Sequence, residues 1–298
     1  MSDFPEEKQN GPERDAYTGT ETTGHEWDGI KELNTPLPRW WVWVWVATII
    51  WSIGYWWVMP AWPLLTDHTR GSQNYSSREA VLAEVEAGRA ARAPMEARVL
   101  AASLDEIQAD SALYDFAQKG GRSTFGLYCA QCHGLGAAGA EGIANLNDDD
   151  WIWGGDLDAI QTTIRVGVRS NHPDTRFNMM PSFEGILSAE EASDVAKYVL
   201  ALADGSANEQ MPGAENFAFQ CAACHGESGE GLRMMGGPKL NDYIWLYAGN
   251  EEEITHQILN PRHGVMPQWE NRLDAATIKQ LAIFVHGLGG GEVSETTD

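Results

Sequence analysis

Hydrophobic residues are arranged in three different ways along the chain. From Trp40 to Met59 twenty successive positions carry no charged side chain, about the length needed to cross ~30 Å of hydrocarbon as a helix. An all-round apolar helix has no solvent face, so a buried helix of a soluble domain is a poor alternative. Eight tryptophans lie between Trp40 and Trp62, and indole rings clustered at the ends of such a run suit the headgroup layer. The preceding 39 residues hold nine acidic and four basic side chains, which is not the short basic leader of a cleaved signal peptide. The reading is an uncleaved transmembrane helix over 39–62. It has no acid, histidine or basic residue, so the span offers no side-chain proton relay.

Helical periodicity appears after this run. In SAEEASDVAKYVLALA the apolar positions are Val195, Val199 and Leu202, with Ser188 and Glu191 spaced as a capping box. In LDAATIKQLAIFVHGLG they are Ile278, Leu281, Val285 and Leu288. Ser76 with Glu79 and Ser103 with Glu106 mark two further helix starts. Strand-like alternation is nearly absent, which predicts an all-α fold. Residues 1–38, rich in Glu, Gly, Thr and Pro, show no periodicity and are expected to be a mostly mobile tail.

Much of the remainder is an imperfect repeat. CAQCHG at 129–134 matches CAACHG at 221–226, LNDDDWIWGG at 146–155 matches LNDYIWLYAG at 240–249, and MPSF at 180–183 matches MPQW at 266–269. The expected organisation is a 1–38 tail, the 39–62 span, a 63–108 helical connector, domains at 109–205 and 206–290, and a 291–298 tail.

Composition narrows the function. The 298 residues include 43 acidic and 20 basic side chains, a net charge of −23, which repels nucleic acid and attracts basic partners. All four cysteines, Cys129, Cys132, Cys221 and Cys224, fall inside two C-x-x-C-H elements. That spacing is the attachment signature of c-type haem, in which two thiols one helical turn apart form thioethers and the next residue is the histidine that reaches iron. A zinc knuckle leaves each histidine unexplained, and a redox disulfide has no use for the downstream Met-Pro. Two covalently bound c-type haems are therefore expected, held by Cys129, Cys132 and His133 and by Cys221, Cys224 and His225.

The sixth iron position decides between a closed electron carrier and an open site. Met180 and Met266 occupy matching places in the repeat, each before a proline, and are the expected distal ligands. Either could serve either haem if the domains exchange methionines. Met179 is the neighbour most easily confused with Met180. Met234 and Met235 are expected to line a pocket, and His172, His256, His263 and His286 to be surface or core residues.

The stretch HEWDGIKELNTPLPRWW at 25–41, the span and the two CxxCHG units closely resemble the dihaem subunit III family (CcoP or FixP) of cbb3-type cytochrome c oxidases, over essentially the whole chain. The resemblance implies two tandem cytochrome c-like domains on one N-terminal anchor. It implies an electron-transfer subunit in a bacterial inner membrane, with the N-terminus cytoplasmic and the haem domains periplasmic. Electrons would pass from a donor cytochrome c through this chain to a monohaem cytochrome c subunit and on to the catalytic haem-copper subunit. Oxygen reduction would reside there, so no catalytic residue is expected in this chain. A carrier serving another reductase would share the haem residues but lack the 25–38 stretch. A peroxidase or gas sensor would need one haem without a distal ligand. Residues 63–298 carry 34 acidic and 16 basic side chains, suited to steering a basic donor.

Overall fold

The computed structural model describes residues 12–293. It divides into two compact parts, residues 1–88 and 89–298. The N-terminal part opens with a hairpin where the sequence predicts a mobile tail: β1 (Thr22–Trp27) pairs antiparallel with β2 (Ile30–Leu33), with Trp27 opposite Ile30. The missed signal is the Asp-Gly at the turn. Asp28 and Gly29 have φ 50° and 85°, the left-handed pair that matches the twist of two strands. Residues 1–11 of that tail, and 294–298 of the C-terminal one, lie outside the described residues. Helix α1 (Arg39–Val58) follows, with Pro38 just before its first turn and no residue buried in protein. By length and composition it can cross a membrane.

Helix α2 (Ser77–Ala101) leads into the C-terminal part. Ser76 Oγ accepts from Glu79 N at 3.3 Å, one half of the expected capping box. Both halves form at Ser103, which starts α3 (Leu104–Ala109), and at Ser188. The C-terminal part is helical, as the periodicity predicts. Its remaining elements are α4 (Ser111–Tyr128), α5 (Ala130–His133), α6 (Leu157–Val166), α7 (Ala189–Asp204), α8 (Ala214–Gln220), α9 (Ala222–His225), a 3-10 turn (Arg233–Met235), α10 (Glu251–Leu259) and α11 (Ala275–His286).

Packing does not follow the repeat boundary at 205/206. One core joins Phe125, Ile160 and Ile164 of the first copy to Ile278, Leu281 and Val285 of α11, in the second copy. The other joins Val195 and Val199 of α7, in the first copy, to Phe217, Ile254 and Ile258 of the second. The predicted apolar faces of both closing helices thus pack against the other copy's CxxCH-bearing region, buried except at Leu202 and Leu288, which are half-buried. The reason for α7 is local: only residues 205–213 separate it from α8, so the two lie side by side. Gly213 turns the chain at φ 88°, and a Cβ there would stand 2.3 Å from Asp194 O. The reason for α11 is steric: it crosses α4 at Gly121, where a Cβ would stand 2.2 Å from Gln280 O and 2.5 Å from Phe284 Cβ.

Part of the predicted connector joins the first core. Val99, Leu104 and Ile107 are buried in it, and Lys279 Nζ of α11 donates to Leu100 O and Ala102 O at 2.9 and 2.5 Å. A cation on those carbonyls satisfies the C-terminal end of α2.

Candidate functional site

Each CxxCH sits at the same local device. The helix carrying it ends at the first cysteine, and a four-residue helix holds the rest, α5 in one copy and α9 in the other. Gly134 and Gly226 stop these helices at φ 79° and 83°, a left-handed backbone that favours glycine.

The histidines are fixed alike. His133 Nδ1 donates to Ala144 O at 3.0 Å and His225 Nδ1 to Pro238 O at 2.9 Å. A ring whose Nδ1 proton is held by a carbonyl keeps Nε2 as the free lone pair, the tautomer of a metal ligand oriented by its outer partner. Burial pulls both imidazole pKa values down, against the opposing backbone bond, which favours the neutral ring iron requires. Burial also pushes the Cys129 and Cys221 thiols up to about 11, with their cysteine partners adding to the shift. The donor set fits a c-type haem at each place. These residues could hold one through two thioethers and an imidazole.

The Met-Pro loops reach across the repeat. Met180 lines a cavity with Cys221, Cys224 and His225 and packs on the core that contains Cys221. Met266 packs on the core with Phe125, Cys129 and Ala130. The aromatic three residues after each methionine pins its loop. Phe183 N donates to Ile258 O at the end of α10, and Trp269 N donates to Ile164 O and Arg165 O at the end of α6. Both rings are buried. At the crossover Val168 and Met266 exchange two backbone bonds of 3.0 Å each. The packing thus defines a His133 module, with Met266 and α11, and a His225 module, with Met180 and α7.

The other candidates scatter. Met179 and Met235 line the His225 cavity, while Met234 is 97% exposed and stands apart from the cavity lining, contrary to its predicted place. His172 Nε2 meets Glu270 at 2.6 Å, His286 Nε2 donates to Glu292 O at 2.8 Å, and His256 is exposed. His263 and Arg169 line the His225 cavity. Arg169 has no motif to mark it, and His263 reads in the sequence only as a surface or core residue. The positional hint for His263 was its place three residues before Met266.

Comparison with known proteins agrees with this geometry. Residues 19–66 match the N-terminal domain of cytochrome oxidase-cbb3, FixP. Residues 116–199 and 208–285 each match the cytochrome c oxidase, cbb3-type, subunit III family. A cbb3-type cytochrome c oxidase subunit FixP of Bradyrhizobium sp. strain ORS 278 is 49% identical over 285 residues, covering 94% of this chain and 98% of its own. The FixPc subunit of Rhizobium leguminosarum bv. viciae is 48% identical over 280 residues, covering 93% and 98%. The CcoP subunit of Cereibacter sphaeroides is 45% identical over 276 residues, covering 91% and 95%. With one apolar helix long enough to anchor it and two cytochrome domains built to hold c-type haem, the chain belongs to the FixP/CcoP family, subunit III of the cbb3-type cytochrome c oxidases.

Proposed function

We propose that this oxidase subunit is the electron-entry component of its complex, anchored by α1 with its N-terminus in the cytoplasm and residues 63–298 in the periplasm. It takes electrons from a donor cytochrome c and passes them to the monohaem cytochrome and catalytic haem-copper subunits. Two haems are attached covalently, one through Cys129 and Cys132 and one through Cys221 and Cys224. Bound haem supplies a one-electron couple whose potential is set by the axial ligands.

The axial pairs in this reading are crossed: His133 with Met266, and His225 with Met180. The observation that carries it is the seating of each Met-Pro loop against the other copy's CxxCH segment. A thioether is a soft ligand that favours ferrous iron and closes the site to exogenous ligands. The chain's residues then position the iron, exclude water and leave electron transfer as the available chemistry.

The test uses a chain carrying Cys221→Ser and Cys224→Ser, which keeps one haem. On that background Met266→Leu is expected to open the reduced haem to carbon monoxide, and Met180→Leu to leave the spectrum unchanged. The opposite result would sink the crossed pairing. Mild-detergent purification of the intact chain tests the wider assignment, which requires a second c-type cytochrome and a b-haem subunit to co-purify with cyanide-sensitive oxygen uptake.

A further inference from the structure

The rim of the His225 cavity carries two arginines at comparable points in the repeat, and they are not equivalent. Arg262 follows α10 and is neutralised: it is paired with Glu253, meets Glu141 at 3.1 Å and lies over the Tyr247 ring at 4.2 Å. Arg169 follows α6 and has only carbonyl partners, donating through Nε to Gly264 O at 2.6 Å and through Nη1 to Asn178 O at 3.1 Å. Among the described residues no carboxylate pairs with it. The guanidinium is half-buried, and that burial pulls its pKa down. The two fixed carbonyls hold it in place, and its backbone is held at φ 51°, a left-handed conformation that costs a non-glycine residue about 1 kcal/mol or more. A half-buried guanidinium held only by neutral carbonyls has no counter-charge among the described residues, and a carboxylate would pair with it more strongly.

A second incomplete group lines the same cavity. His263 Nε2 is buried with no hydrogen-bond partner among the described residues. Buried polar atoms in folded proteins are nearly always paired. An unpaired ring nitrogen lining the same cavity as an unneutralised guanidinium leaves room for a negatively charged partner that both can meet.

We propose that Arg169 and His263 form a carboxylate seat in the His225 cavity, which takes the propionates of the haem bound there and raises the reduction potential of that haem alone. The inference rests on haem being held at Cys221, Cys224 and His225. The donors are positioning residues: the Arg169 fork presents N–H groups in the plane that suits a carboxylate, and His263 adds one further donor. The Arg169 charge opposes the propionates and favours the added electron. Arg262 contributes little because its charge is already spent on Glu141 and Glu253.

Peptide mass of the intact oxidase comes first. Absence of haem on the Cys221–Cys224 peptide of the unsubstituted chain would overturn the haem assignment itself. With haem present, potentiometric titration of the purified complex resolves its one-electron steps, and the step of this chain that survives Cys129→Ser with Cys132→Ser belongs to the His225 haem. Arg169→Gln is expected to lower that step alone by about tenfold in its reduction equilibrium, or about 60 mV for one electron. His263→Leu should lower the same step by less, and Arg262→Gln should leave it in place. If Arg169→Gln moves no step, or moves both haems of this chain equally, the seat does not exist. Should that variant fail to accumulate, Arg169→Lys is read by resonance Raman spectroscopy: a changed propionate bending band on one haem supports the seat, and unchanged bands overturn it.

Discussion

The His133 and His225 modules share their motifs but close very differently. In the His225 module the core runs from Phe183 to Ile258, one continuous stretch whose closing helix α7 is followed within a short loop by α8. In the His133 module the core begins at Val99, breaks off after Ile164 and resumes at Trp269. The His225 module is in effect an insertion in the His133 module, entered and left where Val168 meets Met266. Distant pieces must pay more chain entropy before their contacts form. Two nearly identical motif sets can thus differ in when and how readily they become complete.

That difference can be broken directly. The largest effect is expected from ending the chain after Arg262. The His225 module keeps its core, while the His133 module loses Met266, Trp269 and α11. Peptide mass should then find haem retained on the Cys221–Cys224 peptide and lost from the Cys129–Cys132 peptide. Two independent tandem domains would give the reverse.

Next in size are the pinning aromatics. Trp269→Ala and Phe183→Ala each remove a buried ring and are expected to cost about 3–5 kcal/mol. The damage should fall on the module where the ring packs. Trp269→Ala should loosen the haem at His133 and Phe183→Ala the haem at His225, as read by thermal melts followed at each haem. Loss at the motif copy to which each aromatic belongs in sequence would contradict the exchange.

A smaller effect is expected at the crossing of α4 and α11. Gly121→Ala places a methyl group 2.2 Å from Gln280 O, and overpacking of this kind costs about 1–3 kcal/mol. Denaturant unfolding should show the loss in the His133 module first, with a midpoint for the His225 module close to that of the unsubstituted chain.

The smallest effects sharpen the comparison by failing to separate the modules. Ser188 caps α7 and Asp274 caps α11, each accepting a backbone N–H in the first turn. Alanine at either should cost about 1 kcal/mol, read as similar shifts in the midpoint of the module that each helix closes. A several-fold difference between the two would mean that one closing helix depends on its cap far more than packing suggests.

Legibility in the sequence followed the range of the interaction. The hairpin at Thr22–Leu33 is hidden by the polar, Gly- and Thr-rich composition of its segment, although Asp28-Gly29 states the turn within two residues. Arg169 is silent in the sequence for a different reason. Its partners Gly264 and Asn178 are backbone carbonyls, and a carbonyl has no residue type for a motif to register.

The apolar span, the capping boxes at Ser103 and Ser188, and the spacing of each CxxCH on its short helix were determined by the sequence itself, because each depends on spacings of a few residues and on side-chain type. The assignment of α7, α11, Met180 and Met266 to their modules was decided only in three dimensions. The two copies present nearly the same apolar faces and the same Met-Pro loops, so local preference is equal for either partner. The short 205–213 loop, the glycine gap at Gly121 and the backbone pairing of Val168 with Met266 break that tie, since chain connectivity and steric fit act between residues far apart in sequence.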